Sequence, residues 1–299
     1  MALHVVNAGE NACPEAWAAA KRLPDRGPLV VMVHGYRFSP SDPDHDPHRH
    51  ILSLTPAPGL RRAVSWPAEL GFTQQGDEGL AIAYGWEARG HLRGAYARAA
   101  EAGAELALLI DRLAITSRRP VAVIGHSLGA RVALSALARV APGAIGRVVL
   151  LAGAEFRDCA EQVVSSPAGM LAEIINVTTR ENDPYDFGIE LLLRGGRVGT
   201  VGLGLSHRQD NWIDLQIDQP GVLDGLRALG FPVSAPGSRT CHWSPYLRTG
   251  MFDLYRAALC QPWSLPLPLL ARHLPDRQAR RWSRLFSLRA SQSVSLGRA

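Results

Sequence analysis

The sequence predicts an α/β protein, a mostly parallel central sheet with helices on both faces. Three observations predict it. Short apolar runs recur along the chain at 29–33, 79–85, 121–124, 146–152 and 173–179, with helical stretches between them. Several of these runs are apolar throughout rather than alternating, as strands buried on both faces are. Polar residues follow their ends, where the sites of parallel sheets gather.

In chain order, a short apolar start (Leu3, Val5, Val6) precedes an alanine-rich helical stretch around 15–22. The run Leu-Val-Val-Met-Val at 29–33 is a strand ending in His34-Gly35-Tyr36. The stretch 38–55 is polar and proline-rich, with Asp42, Asp44, His45, Asp46, His48 and His50. Histidines among aspartates suit metal ligation, but the spacing is irregular and no second ligand cluster follows. The expectation is a site rim and no metal. The strand at 79–85 leads to Trp86, expected on the same sheet edge as the site. Leu92, Tyr96, Ala99, Gly103, Leu106, Ile110 and Leu113 recur at four and three, a helix with one apolar stripe. After the strand at 121–124 comes a helix at 131–139, then a strand at 146–152, a helical segment around 160–171 and a strand at 173–179. The stretch 187–206 is apolar and glycine-rich without a period, expected as a pocket wall or small lid. A strand at 212–218, a short helix around 222–229 and a last helix at 246–259 complete the body.

Composition bounds the class. The chain has 299 residues, 46% hydrophobic and 20% charged, which is a globular balance. No apolar run reaches membrane-spanning length and the start does not read as a signal peptide, so a soluble, cytoplasmic protein is expected. Cys13, Cys159, Cys241 and Cys260 lie far apart, suggesting neither a zinc site nor a disulfide framework. The net charge of +5 comes from the end of the chain, where seven arginines stand against Asp276. The body is near neutral, so nucleic acid is not an expected partner. A main domain at 1–260 and a basic Pro/Arg-rich tail at 261–299 are expected, the tail loosely ordered. Ala279, Trp282, Leu285 and Phe286 share one helical face there, which fits weak contact with a membrane surface.

The chemistry centres on Gly125-His126-Ser127-Leu128-Gly129, a G-x-S-x-G between a strand and a helix. Such a turn strains the serine backbone and lifts its hydroxyl to a helix N-terminus. There free N–H groups favour a developing oxyanion. The amides of Leu128 and, from the His34-Gly35 turn, Tyr36 are the expected oxyanion donors. A serine needs a base, and the base needs a group that fixes its tautomer. Ser127, Asp183 and His242 follow one another in the required order; Asp186 and Glu181 are alternatives to Asp183, and His207 to His242. His34, Gly35, Trp86 and His126 are expected to contact substrate.

These residues carry a resemblance. Through Gly125-His126-Ser127-Leu128-Gly129, His34-Gly35, Asp183 and His242, residues 28–260 resemble the α/β-hydrolase superfamily. The chain is similar to small bacterial serine hydrolases of unassigned substrate, which share its His-Gly-Tyr loop, its Asp-Pro-His-rich segment and the patterns at His242-Trp243-Ser244 and Tyr246-Leu247-Arg248. The resemblance implies a cofactor-free esterase or lipase-like enzyme acting on a small ester with an apolar acyl part. An acyltransferase, a thioesterase and a catalytically silent binding protein remain as alternatives.

Overall fold

The computed structural model describes residues 3–10, 14–74 and 79–286; Cys13, Arg289 and Arg298 lie outside them. Seven strands form one sheet: β1 (Leu3–Asn7), β2 (Leu29–Val33), β3 (Leu80–Gly85), β4 (Val121–His126), β5 (Ile145–Leu151), β6 (Glu173–Thr178) and β7 (Trp212–Gln216). Their order is β1-β3-β2-β4-β5-β6-β7 and every pairing is parallel. The strands place their carboxyl ends on one edge, and the fold is an α/β-hydrolase fold.

The unbroken apolar runs have a direct explanation. Val31 and Val33 pack into a core on one face of the sheet, Val30 and Met32 into a core on the other. β2 and β3 are buried at every position, so neither leaves a place for a charged residue. The first face is covered by α1 (Pro14–Lys21), α3 (Leu92–Ser117), α4 (Leu128–Leu137) and α5 (Arg157–Val164), and the second by α2 (Trp66–Glu69), α7 (Pro220–Ala228), α9 (Met251–Cys260) and α10 (Leu267–Arg272). Beyond the carboxyl edge lie α6 (Asp183–Arg194), α8 (Ser244–Leu247) and α11 (Ser283–Phe286).

Three expectations change. The last helix of the body is two: α8 and α9 are separated at Gly250, which has φ +87° and whose Cα faces the Pro232 carbonyl so closely that a Cβ would lie 2.6 Å from that oxygen. The stretch 187–206 begins inside α6, which starts at Asp183 with Pro184 in its first turn, a position where a missing N–H costs nothing. The chain also does not leave the body at 260. Leu265, Leu267 and Leu270 are buried in the second core, and Gln278, Ala279 and Trp282 bond to the carboxyl edge of the sheet. The basic segment up to 286 is a strap across the body rather than a loose tail.

Candidate active site

Ser127 joins β4 to α4 with φ 55° and ψ −122°, a left-handed conformation for a residue with a Cβ. Such strain costs on the order of 1–3 kcal/mol and persists only where the surroundings enforce it. Here Ser127 N donates to the Leu151 carbonyl (2.9 Å), and the Ser127 carbonyl accepts from Ala130 and Ala154. A Cβ on Gly129 would lie 2.5 Å from the Val33 and His34 carbonyls, so only glycine lets α4 start this close to the end of β2. Leu128 is the first residue of α4, where a backbone N–H has no acceptor within its own helix.

The turn after β2 lies directly against the serine. A Cβ on Gly35 would fall 2.8 Å from Ser127 Cβ and from the His126 carbonyl. His34 holds this turn from below. Its Nε2 accepts from Trp86 N (3.0 Å), so its Nδ1 carries the proton and donates to the Gly35 carbonyl (3.0 Å). That bond fixes the Gly35–Tyr36 peptide, whose N–H points opposite to its carbonyl. Trp86 closes the arrangement, donating from Nε1 to the His34 carbonyl and stacking on the His34 ring at 5.7 Å. His34 and Trp86 are 0% and 1% exposed. Both were expected to contact substrate; they lie beneath the site instead and set its backbone. The Tyr36 side chain anchors the far end of the turn through its hydroxyl to the Gly90 carbonyl.

His126 is also buried. Its Nε2 donates to the His242 carbonyl (3.1 Å), and the two rings lie 4.6 Å apart. The residue before the candidate nucleophile therefore ties down the loop of the candidate base, a second departure from the expected substrate contact.

The turn after β6 shows the largest difference from the sequence reading. Residues Arg180–Asn182 form one 3-10 turn capped by Thr179, and their three side chains diverge. Arg180 reaches Asp183 (3.1 Å), the Gly202 carbonyl and Gln278. Glu181 bonds to Ser238, Ser244 and Arg248, and its carbonyl accepts from Cys241 N. Asn182 Oδ1 meets His242 Nδ1 at 2.6 Å. The expected partner of His242, Asp183, points away into α6 and accepts from Trp282 N (2.6 Å) as well as from Arg180. Asp186 is buried beside it, and Glu181 serves the loop rather than the ring. A carboxamide thus occupies the place where a carboxylate was expected. Its carbonyl accepts from Nδ1 and leaves Nε2 unprotonated, the tautomer a general base needs. The sequence holds a signal for this in Asn182 itself, one residue before the aspartate chosen.

Electrostatics keeps the three rings uncharged. Burial lowers His34 to about 3 and His126 to about 4. Burial first, then repulsion from His126 when it is protonated and from Arg62, lowers His242 well below the ordinary imidazole range. All three rings are neutral at neutral pH. Tyr185 stacks on His242 at 4.8 Å, and Arg62 lies over Trp243 at 3.3 Å. The histidines of the 38–55 stretch have separate neighbours: His48 bonds to Asn7, His50 to the Arg61 carbonyl, and His45 Nδ1 lies 3.2 Å from an Asp42 oxygen. A cavity of about 510 Å³ lies against β1 between Trp17, Tyr84 and Arg112, and neither Ser127 nor His242 lines it. His207 lies in a separate cleft with Arg208 and Asp276.

Residues 46–176 match a family described as "Protein of unknown function (DUF726)". No sequence among the curated proteins matches. Among solved structures, the chain is similar to the mature form of Bacillus licheniformis lipase BlEst2, at 13% identity and TM-score 0.35, over 64% of this chain and 84% of that one. It is similar to the propeptide form at 12% and 0.35, over 64% of this chain and 46% of that one. With Aspergillus fumigatus lipase B the values are 13% and 0.41, over 92% of this chain and 65% of that one. The chain thus spans less than two thirds of the latter two. No helix among the described residues is long and apolar enough to cross a membrane.

Proposed function

We propose that the protein is a serine hydrolase that cleaves a carboxylic ester through an acyl-enzyme on Ser127. The observation that carries this reading is the strained strand-to-helix serine, with a neutral His242, its Nδ1 held by Asn182, tied to the neighbouring His126. His242 Nε2 takes the proton of Ser127 as Oγ attacks the ester carbonyl. The amides of Leu128 and Tyr36 receive the oxyanion, the second oriented through the His34–Gly35 bond. The protonated His242 passes its proton to the leaving alcohol. Water then attacks the acyl-enzyme, giving its proton to His242, and the serine is restored. Asn182 orients the ring without adding charge, as the asparagine of Cys-His-Asn proteases does. Asp183, Asp186 and Glu181 take no direct part in this reading.

Hydrolysis of p-nitrophenyl esters of increasing acyl length tests it. The full chain is expected to turn over at least one ester, and Ser127→Ala and His242→Ala to lose about 10³-fold or more of kcat. Undiminished turnover in either variant would overturn the reading.

A further inference from the structure

Helix α6 is inside out. Its buried side chains include Asp183, Asp186 and Glu190, while Tyr185, Phe187, Leu191 and Leu192 are 39%, 44%, 52% and 57% exposed. A surface helix of a soluble domain ordinarily does the reverse. The inversion is specified by partners rather than by chance. Asp183 is met by Arg180 and Trp282 N, and Glu190 by Arg281 (2.7 Å) and Thr200 N (2.8 Å). Because the acids of the helix point inward, its outward face carries no carboxylate.

Arginines border that face. Arg93 donates to the Leu192 carbonyl (2.6 Å), and Arg194 closes the helix, paired with Asp158. The Arg281 guanidinium lies 5.6 Å from the Phe187 ring. At the other end the face begins on the candidate base, where Tyr185 stacks on His242. Twelve residues of α6 extend about 18 Å, enough to lie in a lipid interface and too short to span one.

We propose that this face is the seat for an anionic lipid surface, with the leucines and aromatics entering the headgroup region and the exposed Arg93 and half-exposed Arg194 at its border meeting lipid phosphates. A second copy of the chain is a poorer fit. A two-fold contact would bring Arg93 and Arg194 of one copy toward a face of the other on which α6 offers no carboxylate to meet them. If the hydrolase reading also holds, the ester reaching Ser127 is that of a lipid drawn from the surface.

Co-sedimentation of the full chain with vesicles tests this. Vesicles of phosphatidylcholine with about 30% phosphatidylglycerol are expected to bind about tenfold more protein than phosphatidylcholine alone, with most of it released at high salt. The double variant Leu191→Ser, Leu192→Ser is expected to bind about tenfold less while its circular-dichroism melting curve is unchanged. Equal binding by parent and double variant, or binding indifferent to phosphatidylglycerol, would overturn the proposal. So would a parent dimer in sedimentation velocity that the double variant dissolves, because a second copy would then cover the face. Ser127→Ala separates the two readings: it is expected to bind vesicles like the parent. A chain that binds vesicles but cleaves no ester sinks the hydrolase reading and leaves the seat standing.

Discussion

At position 182 a carboxamide stands where mechanisms of this kind commonly place a carboxylate, and the difference is measurable. An amide orients the His242 ring but leaves its charged form without an opposite charge nearby. With burial and repulsion from Arg62, and from His126 when it is protonated, acting in the same direction, His242 stays neutral well below pH 6.5. The acid limb of the kcat/KM profile is therefore expected well below that pH. Asn182→Asp places a negative charge against Nδ1, favours the imidazolium and raises the histidine's pKa. Its acid limb is expected to move up by about one pH unit or more, with kcat at pH 8 unchanged or higher. A profile that does not move would show that Asn182 and His242 are uncoupled during turnover.

At the scale of elements, the loop at 238–248 is held by one buried pair. Glu181 and Arg248 are almost wholly enclosed, and Arg248 also donates to the Ile217 carbonyl. Removing one member of such a pair leaves the other charged and buried, at a cost of about 3–5 kcal/mol. Arg248→Met is expected to lower the melting temperature by roughly 10 °C or more and to reduce kcat more than KM, since the loop carries His242. Melting curves and ester kinetics on the same preparation check both. This element also shows what a linear reading misses. The strand ends, the glycine-flanked serine and the histidine loop are legible because periodicity and turn residues mark them. Within Arg180-Glu181-Asn182-Asp183 the assignment is not, because a 3-10 turn rotates successive side chains by about 120°. Which of four polar neighbours faces a histidine 60 residues later depends on the packing of that loop. The choice of Asp183 followed chemical type, and the backbone turned it toward Arg180.

At the scale of the whole molecule, the basic segment at 261–286 belongs to the body because the body's carboxylates require it. Its pattern of arginines reads as a solvated tail when taken alone; the acids that recruit Arg281 and the Trp282 amide lie about 100 residues upstream. The cluster they cover has a pH signature. Burial, with Asp183 and Glu190 adding to it against Arg180 and Arg281, raises Asp186 to about 7. In the unfolded chain this carboxyl titrates in the ordinary range near 4. The native state therefore binds the extra proton between these values, and stability falls as pH rises through about 7. The melting temperature is expected to decrease from pH 5 to pH 8, and Asp186→Asn to flatten that decrease, so that the variant is relatively more stable at pH 8. Parallel curves for the two proteins would contradict this placement of the charge. The same scale explains why the central strands read so well from the sequence. Two apolar cores, one on each face, impose unbroken hydrophobic runs on the central strands, whereas the outward face of α6 follows no such rule.

The central claim is that Ser127 is the nucleophile, raised in reactivity by His242. Intact-protein and peptide mass spectrometry after treatment with a fluorophosphonate tests it most directly. A single adduct is expected on the peptide containing Ser127, formed rapidly by the parent, about 10²-fold or more slowly by His242→Ala and not by Ser127→Ala. An adduct on another residue, or equal labelling of the parent and His242→Ala, would contradict it.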